Sequence, residues 1–182
     1  MDGIRLATQD DADAIETLIR ASIRDIFPAF YEAAQVESSV EFVGRVDRQL
    51  IDDGTYFVVD EGPDIVACGG WSVRDKLYTG SGPGDDDDRR LDPATDAAHI
   101  RAMFVRGDRT RRGLGTRILA ASEDAARAAG FRRLTLMATL PGFELYERYG
   151  FRVTERMEVA LPNGVVVACV SMDMELEDGV PA

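Results

Sequence analysis

Between Ala98 and Gly130 the sequence commits the chain to a strand, an arginine-rich loop and a helix that opens on glycine. Ala98 to Val105 is an apolar run of strand length. Arg106, Arg109, Arg111 and Arg112 then crowd a short connection. Leu114, Ile118, Ala121, Ala125 and Ala128 recur at steps of four and three, so residues 112–129 are expected to form an amphipathic helix stopped by Gly130. The first turn of a helix has unpaired N–H groups and carries the positive end of the dipole. Glycine there, at Gly113 and Gly115, lets a bulky anion approach the backbone, and arginines beside it add charge. Together these features make a seat for a pyrophosphate. The segment is neither a Walker loop nor a dinucleotide fingerprint. It lacks the Gly-Lys-Ser/Thr ending, and Ile118 stands where a third glycine is needed.

The other elements follow from local signals. Thr8-Gln9-Asp10-Asp11 reads as a capping box, followed by Ile15, Leu18, Ile19, Ile23 and Ile26 at helical spacing. The run Phe27-Pro28-Ala29-Phe30-Tyr31 breaks that helix. A second helix is expected from Ser39 to Ile51, ended by Asp53-Gly54. Tyr56 to Val59 and Ile65 to Val73 read as strands around a turn at residues 61–64. Residues 76–96, with a glycine-rich run before Asp85 to Asp88, read as a flexible solvated loop. Leu134 to Ala138 is a strand, and Phe143 to Arg148 a short helix ended by Gly150. Strands at about 152–160 and 165–174 flank Pro162-Asn163-Gly164, a strong hairpin signal. The expected order is ααβββαβαββ: an α/β (α+β) fold with one mixed, mostly antiparallel central sheet and helices on both faces.

Composition narrows the class. The 182 residues, 45% of them hydrophobic, suit one domain with a real core, assigned here to residues 1–182. No apolar stretch is long enough to span a membrane, and Met1 to Arg5 does not begin like a signal peptide, so a cytoplasmic location is expected. The formal net charge is −12, and Lys76 is the only lysine. That balance disfavours nucleic acid and anionic membrane as partners and mildly favours cationic acceptors. Cys68 and Cys169 lie in apolar strand-like runs without metal-ligand spacing, so no metal is expected.

Two stretches resemble the GCN5-related N-acetyltransferase superfamily. Met103-Phe104-Val105 followed by Arg111-Arg112-Gly113-Leu114-Gly115 is similar to its acetyl-CoA motif, Gln/Arg-x-x-Gly-x-Gly/Ala. Thr110 stands at the Gln/Arg position. Tyr146-Glu147-Arg148-Tyr149-Gly150-Phe151 resembles the family's Tyr-x-x-x-Gly-Phe. Leu140 replaces the family's usual upstream Asn. The resemblance implies that a pantetheine arm inserts beside the strand ending at Val105, bonding backbone near Met103, Phe104 and Val105. It implies that amides from Arg111 through Arg112, Gly113, Leu114 and Gly115 to Thr116 hold the pyrophosphate of acetyl-CoA.

The implied reaction is direct acetyl transfer from acetyl-CoA to a small-molecule or peptide amine, without an acyl-enzyme. Tyr146 is the implied general acid. The base is His99, the only histidine, or a carboxylate acting through water. By the same resemblance the acceptor site gathers Phe27, Phe30 and Tyr31, which read equally as core or as a dimer contact, and a homodimer is possible. The competing reading is a CoA-binding sensor or structural subunit without catalysis.

Overall fold

A computed structural model describes residues 3–76 and 89–176. Their framework is a seven-stranded sheet in the order β1-β2-β3-β4-β5-β7-β6. The strands are β1 (Ile4–Leu6), β2 (Tyr56–Glu61), β3 (Asp64–Ser72), β4 (Ala98–Val105), β5 (Arg133–Thr139), β6 (Arg152–Ala160) and β7 (Val166–Glu175). The helices are α1 (Ala12–Ile26), α2 (Ala33–Phe42), α3 (Arg48–Asp52), α4 (Leu114–Ala128) and α5 (Phe143–Tyr149). Every strand pairing is antiparallel except β4 with β5.

The apolar stripe of α1 explains one face of the sheet. Ile15, Ile19 and Ile23 are fully buried with Tyr56, Val58 and Cys68. Each such side chain contributes about 1.5–3 kcal/mol by leaving water. On the other face Ile118, Leu119 and Ala126 of α4 are fully buried, with Leu134, Leu136 and Tyr146 close-packed beside them. The Asp11 carboxylate accepts the Thr8 N–H at 2.7 Å, so the expected capping box starts α1 through one 3-10 turn. Arg5 bridges Asp11 and Asp60, each at 2.7 Å, which ties that start to β2.

Three expectations need correction. The short edge strand β1 was not foreseen: it is three residues long and exposed throughout, so it carries no alternating pattern. The single helix expected from Ser39 to Ile51 is two helices, α2 ending at Phe42 and α3 starting at Arg48. Asp47 accepts the Gln49 N–H at 3.1 Å and starts α3 afresh. The expected 76–96 loop lies outside the described residues from 77 to 88. From Arg89 the chain is packed: Arg90 bridges Arg74, and Leu91 is 7% exposed with its N–H on Val73 O at 2.8 Å.

What positions the site is a fault in the sheet. β4 and β5 pair only at Ala98 with Leu134 and His99 with Thr135, then part. Against β3, the register of β4 slips between Cys68–Phe104 and Gly70–Arg101, so Gly69 faces both Ala102 and Met103. Ala102 has φ 52°, the extra residue of a bulge. Gly69 opposite it leaves room for the Met103 side chain, since a Cβ there would lie 2.2 Å from Met103 Sδ and displace it. The Ala102 carbonyl accepts the Tyr56 hydroxyl at 2.9 Å, which holds the bulge from below.

Candidate active site

The gap between β4 and β5 opens a cavity of about 1210 Å³ that runs through the sheet. At one end lie Met103, Phe104 and Val105 of β4 with Gly113, Leu114, Gly115 and Thr116 of α4. These sequence-predicted residues are therefore brought together. Gly113, at φ 77°, precedes the first turn of α4, and no side chain caps it. The first N–H groups of a 15-residue helix are thus left without an intrahelical or side-chain acceptor. A Cβ on Gly113 would meet nothing within 4 Å, so this approach is open. Gly115 serves a different purpose. A Cβ there would come within 2.7 Å of Leu145 Cδ2, so it lets α5 pack closely on α4.

The loop arginines divide. Arg106 bonds Asp108 at 2.7 Å, and Arg109 bonds Glu61 at 2.8 Å and Asp108 at 2.6 Å. These bonds hold the Glu61 and Asp108 carboxyls below the usual carboxylate range. Arg111 (φ 60°) lines the cavity, exposed and with no ion pair among the described residues. Arg112 does not line it; it faces the neighbouring hollow beside Glu61. Thr110, at the position of the motif's Gln/Arg, turns its hydroxyl to Gly107 O at 3.1 Å.

Tyr146, on α5, lines the cavity. Its ring packs edge-on to Phe151 with centroids 5.9 Å apart, and Gly142 makes room for it, since a Cβ there would lie 2.9 Å from Cε2. Burial alone pushes its phenol well above the usual tyrosine value. Its hydroxyl has no hydrogen-bond partner among the described residues. Tyr149, by contrast, donates to Glu123 at 2.6 Å and braces α5 on α4.

His99 is not brought to this site. It is 6% exposed, pairs in the sheet between Ser72 and Thr135, and sets Nδ1 3.2 Å from Lys76 O, away from the cavity lining. The sequence spacing of six from Val105 implies one strand face, but the bulge at Ala102 adds a residue and reverses the alternation beyond it. Desolvation lowers the imidazole's affinity for a proton, so it sits neutral.

The far end of the cavity is built by residues that no motif announced. Ser39 and Val43, from α2 and the residue after it, face Leu161, Val167 and Cys169 from the β6–β7 hairpin, with Arg45 and Arg101 nearby. Phe27 and Phe30 also line the cavity. Tyr31 does not line the cavity. Its hydroxyl donates to Ala168 O and accepts the Leu140 N–H, both at 2.8 Å, clamping the ends of β5 and β7. Burial pushes the Cys169 thiol up to about 11, which leaves it un-ionised and a poor nucleophile.

The acetyltransferase (GNAT) family matches residues 19–151, most of the chain, and the protein belongs to that family. No curated protein matches in sequence. Solved structures do match in fold. A GCN5-related N-acetyltransferase from Rhodopseudomonas palustris is similar at TM-score 0.72 and 21% identity, covering 97% of this chain and 96% of that one. The yncA structure from Salmonella typhimurium, with its cofactor acetyl-CoA, is similar at TM-score 0.61 and 17% identity over 100% and 98%. The paia N-acetyltransferase of Thermoplasma acidophilum, in complex with coenzyme A, is similar at TM-score 0.63 and 12% identity over 96% and 99%. At these identities the likeness is one of fold.

Proposed function

We propose that the protein transfers the acetyl group of acetyl-CoA to a primary amine by direct attack. The observation that carries this reading is the uncapped start of α4, at Gly113, opening into the gap where β4 leaves β5. An anion is stabilised at such a helix start, and backbone left unpaired by the splay accepts an extended arm. The diphosphate and pantetheine of coenzyme A supply both parts in one ligand. Arg111 adds the charge that Thr110 does not. Membership of the GNAT family, and the acetyl-CoA in the similar yncA structure, support the choice of co-substrate.

The amine nitrogen attacks the thioester carbonyl carbon. The C–N bond forms, the C–S bond breaks, and sulfur leaves as a thiolate that takes the proton of Tyr146; the proton that the acylated nitrogen must shed passes through water to the tyrosinate and restores the phenol. Burial keeps that phenol protonated at neutral pH. The amine must first be neutral, which for an alkyl ammonium costs roughly 4–5 kcal/mol at pH 7. Its proton leaves through water. His99 lies off the cavity, and each carboxylate that lines it is either held by arginine (Asp108, Glu144) or set beside Gly107 beyond the end of β4 (Asp25). Holding the two substrates in line supplies much of the remaining acceleration.

Thiol release from acetyl-CoA across a panel of amines tests the proposal. Amine-dependent release is expected, reduced about 100-fold or more in kcat by Tyr146→Phe with little change in the KM for acetyl-CoA. Tight CoA binding without release on any amine would favour the sensor reading.

A further inference from the structure

We propose that the far end of the cavity selects an amine with an apolar body and one anionic group. This rests on the acetyl-transfer reading above and concerns what the same cavity admits.

The net charge of −12 points the other way, towards cationic acceptors, but the charge is not distributed evenly. The walls of the far end are apolar: Phe27, Val43, Leu161 and Val167. Three carboxylates line the cavity among the described residues. Asp25, two residues before Phe27, packs on Gly107. Asp108 is bonded by Arg106 and Arg109, and Glu144 is paired with Arg148.

Two arginines line the cavity beside these walls. Arg101 is 5% exposed, and its guanidinium lies 2.9 Å from Asp47, so its charge is met inside the protein. Arg45 differs. Its Nε donates to the Glu41 carbonyl at 3.0 Å, and it forms no ion pair among the described residues. Beside it, Ser39 lines the same end fully buried, with its hydroxyl unpaired. A buried unpaired hydroxyl is costly, and a polar group on a ligand removes that cost.

These features fit one arrangement. The apolar body lies against Phe27, Leu161 and Val167, and a carboxylate or similar oxyanion meets Arg45. The amine is then directed towards Tyr146. An apolar, cation-bearing pocket also favours the neutral form of the amine, which is the form that attacks. A polyamine supplies neither the apolar body nor the anion that meets Arg45.

The test compares leucine, phenylalanine, leucinamide and spermidine as acceptors at saturating acetyl-CoA. The expected kcat/KM for leucine and phenylalanine is at least tenfold above that for leucinamide and for spermidine. Arg45→Gln should bring leucine and leucinamide within about twofold of each other, mainly through KM for leucine. A second measurement needs no turnover: calorimetric binding of N-acetyl-leucine and N-acetylspermidine to the CoA-loaded protein, with N-acetyl-leucine expected to bind at least tenfold tighter. Spermidine turned over as well as leucine, or an unchanged leucine preference in Arg45→Gln, overturns this proposal and leaves acetyl transfer standing. Tighter binding of N-acetyl-leucine with no thiol release on any amine supports the pocket assignment and overturns acetyl transfer. Equal binding of the two acetylated products overturns the pocket assignment directly.

Discussion

The two ends of the cavity are made from different materials. The end at Gly113 to Thr116 is backbone: unpaired helix N–H groups, an open glycine and the free edge of a bulged strand. The far end is side chain, assembled from α1, α2 and their following residues, β4 and the β6–β7 hairpin. A backbone site asks only that glycine stand where a Cβ or a conformation forbids other residues. A side-chain site asks for specific residues from elements distant in sequence. The first is suited to a ligand common to many proteins, the second to a ligand that sets this one apart.

Substitutions can break that contrast. The largest effect expected under the proposed reaction is the loss of turnover in Tyr146→Phe, because its hydroxyl is there the proton donor to the leaving sulfur. A smaller effect is expected of Arg111→Ala. If backbone does most of the anion binding, removing this exposed charge weakens acetyl-CoA by only about two- to fivefold, in line with the 0.2–1 kcal/mol of exposed ion pairs. A loss of 100-fold would move the grip from backbone to side chain.

The smallest effect concerns His99 and appears in stability. Its imidazole is kept neutral by burial, so its folded pKa lies below the usual 6.5. As pH falls through 6.5 the unfolded chain takes up a proton that the folded chain resists, and stability is lost. Above 6.5 neither state binds it and the effect vanishes. The carboxylates held low by arginine, among them Asp53 and Asp108, contribute their own loss only near and below about pH 4. Denaturant titrations between pH 7.5 and 5.5 should therefore show a slope that is reduced in His99→Gln, while the acidic limb of the rate profile stays in place. A rate profile that loses its acidic limb in His99→Gln would return His99 to the reaction.

The same contrast explains what could be read in the sequence. Gly113, Gly115 and the Tyr146 to Phe151 stretch lie in short windows, so the glycine start of α4 and its flanking elements were legible in the residues themselves. The Asn163-Gly164 turn was equally local, with Gly164 at φ 84° as the hairpin requires. The bulge at Ala102 was not legible. It depends on Gly69 in another strand making room for Met103, and it is what turns His99 away from the face of Val105. Nor could the sequence show that Tyr31 spends its hydroxyl on Ala168 and Leu140 while Arg45 and Ser39 line the cavity. Those roles are set by tertiary contacts across more than 100 positions, which no periodicity records.

The central claim is that backbone N–H groups at the start of α4 hold the diphosphate of coenzyme A. Titrating the nitrogen-15-labelled protein with CoA, and separately with pantetheine, tests it most directly. Large saturating shifts of the Gly113, Leu114, Gly115 and Thr116 amides are expected with CoA and not with pantetheine. CoA binding that leaves those four amides unmoved, or no binding at millimolar CoA, would contradict the account.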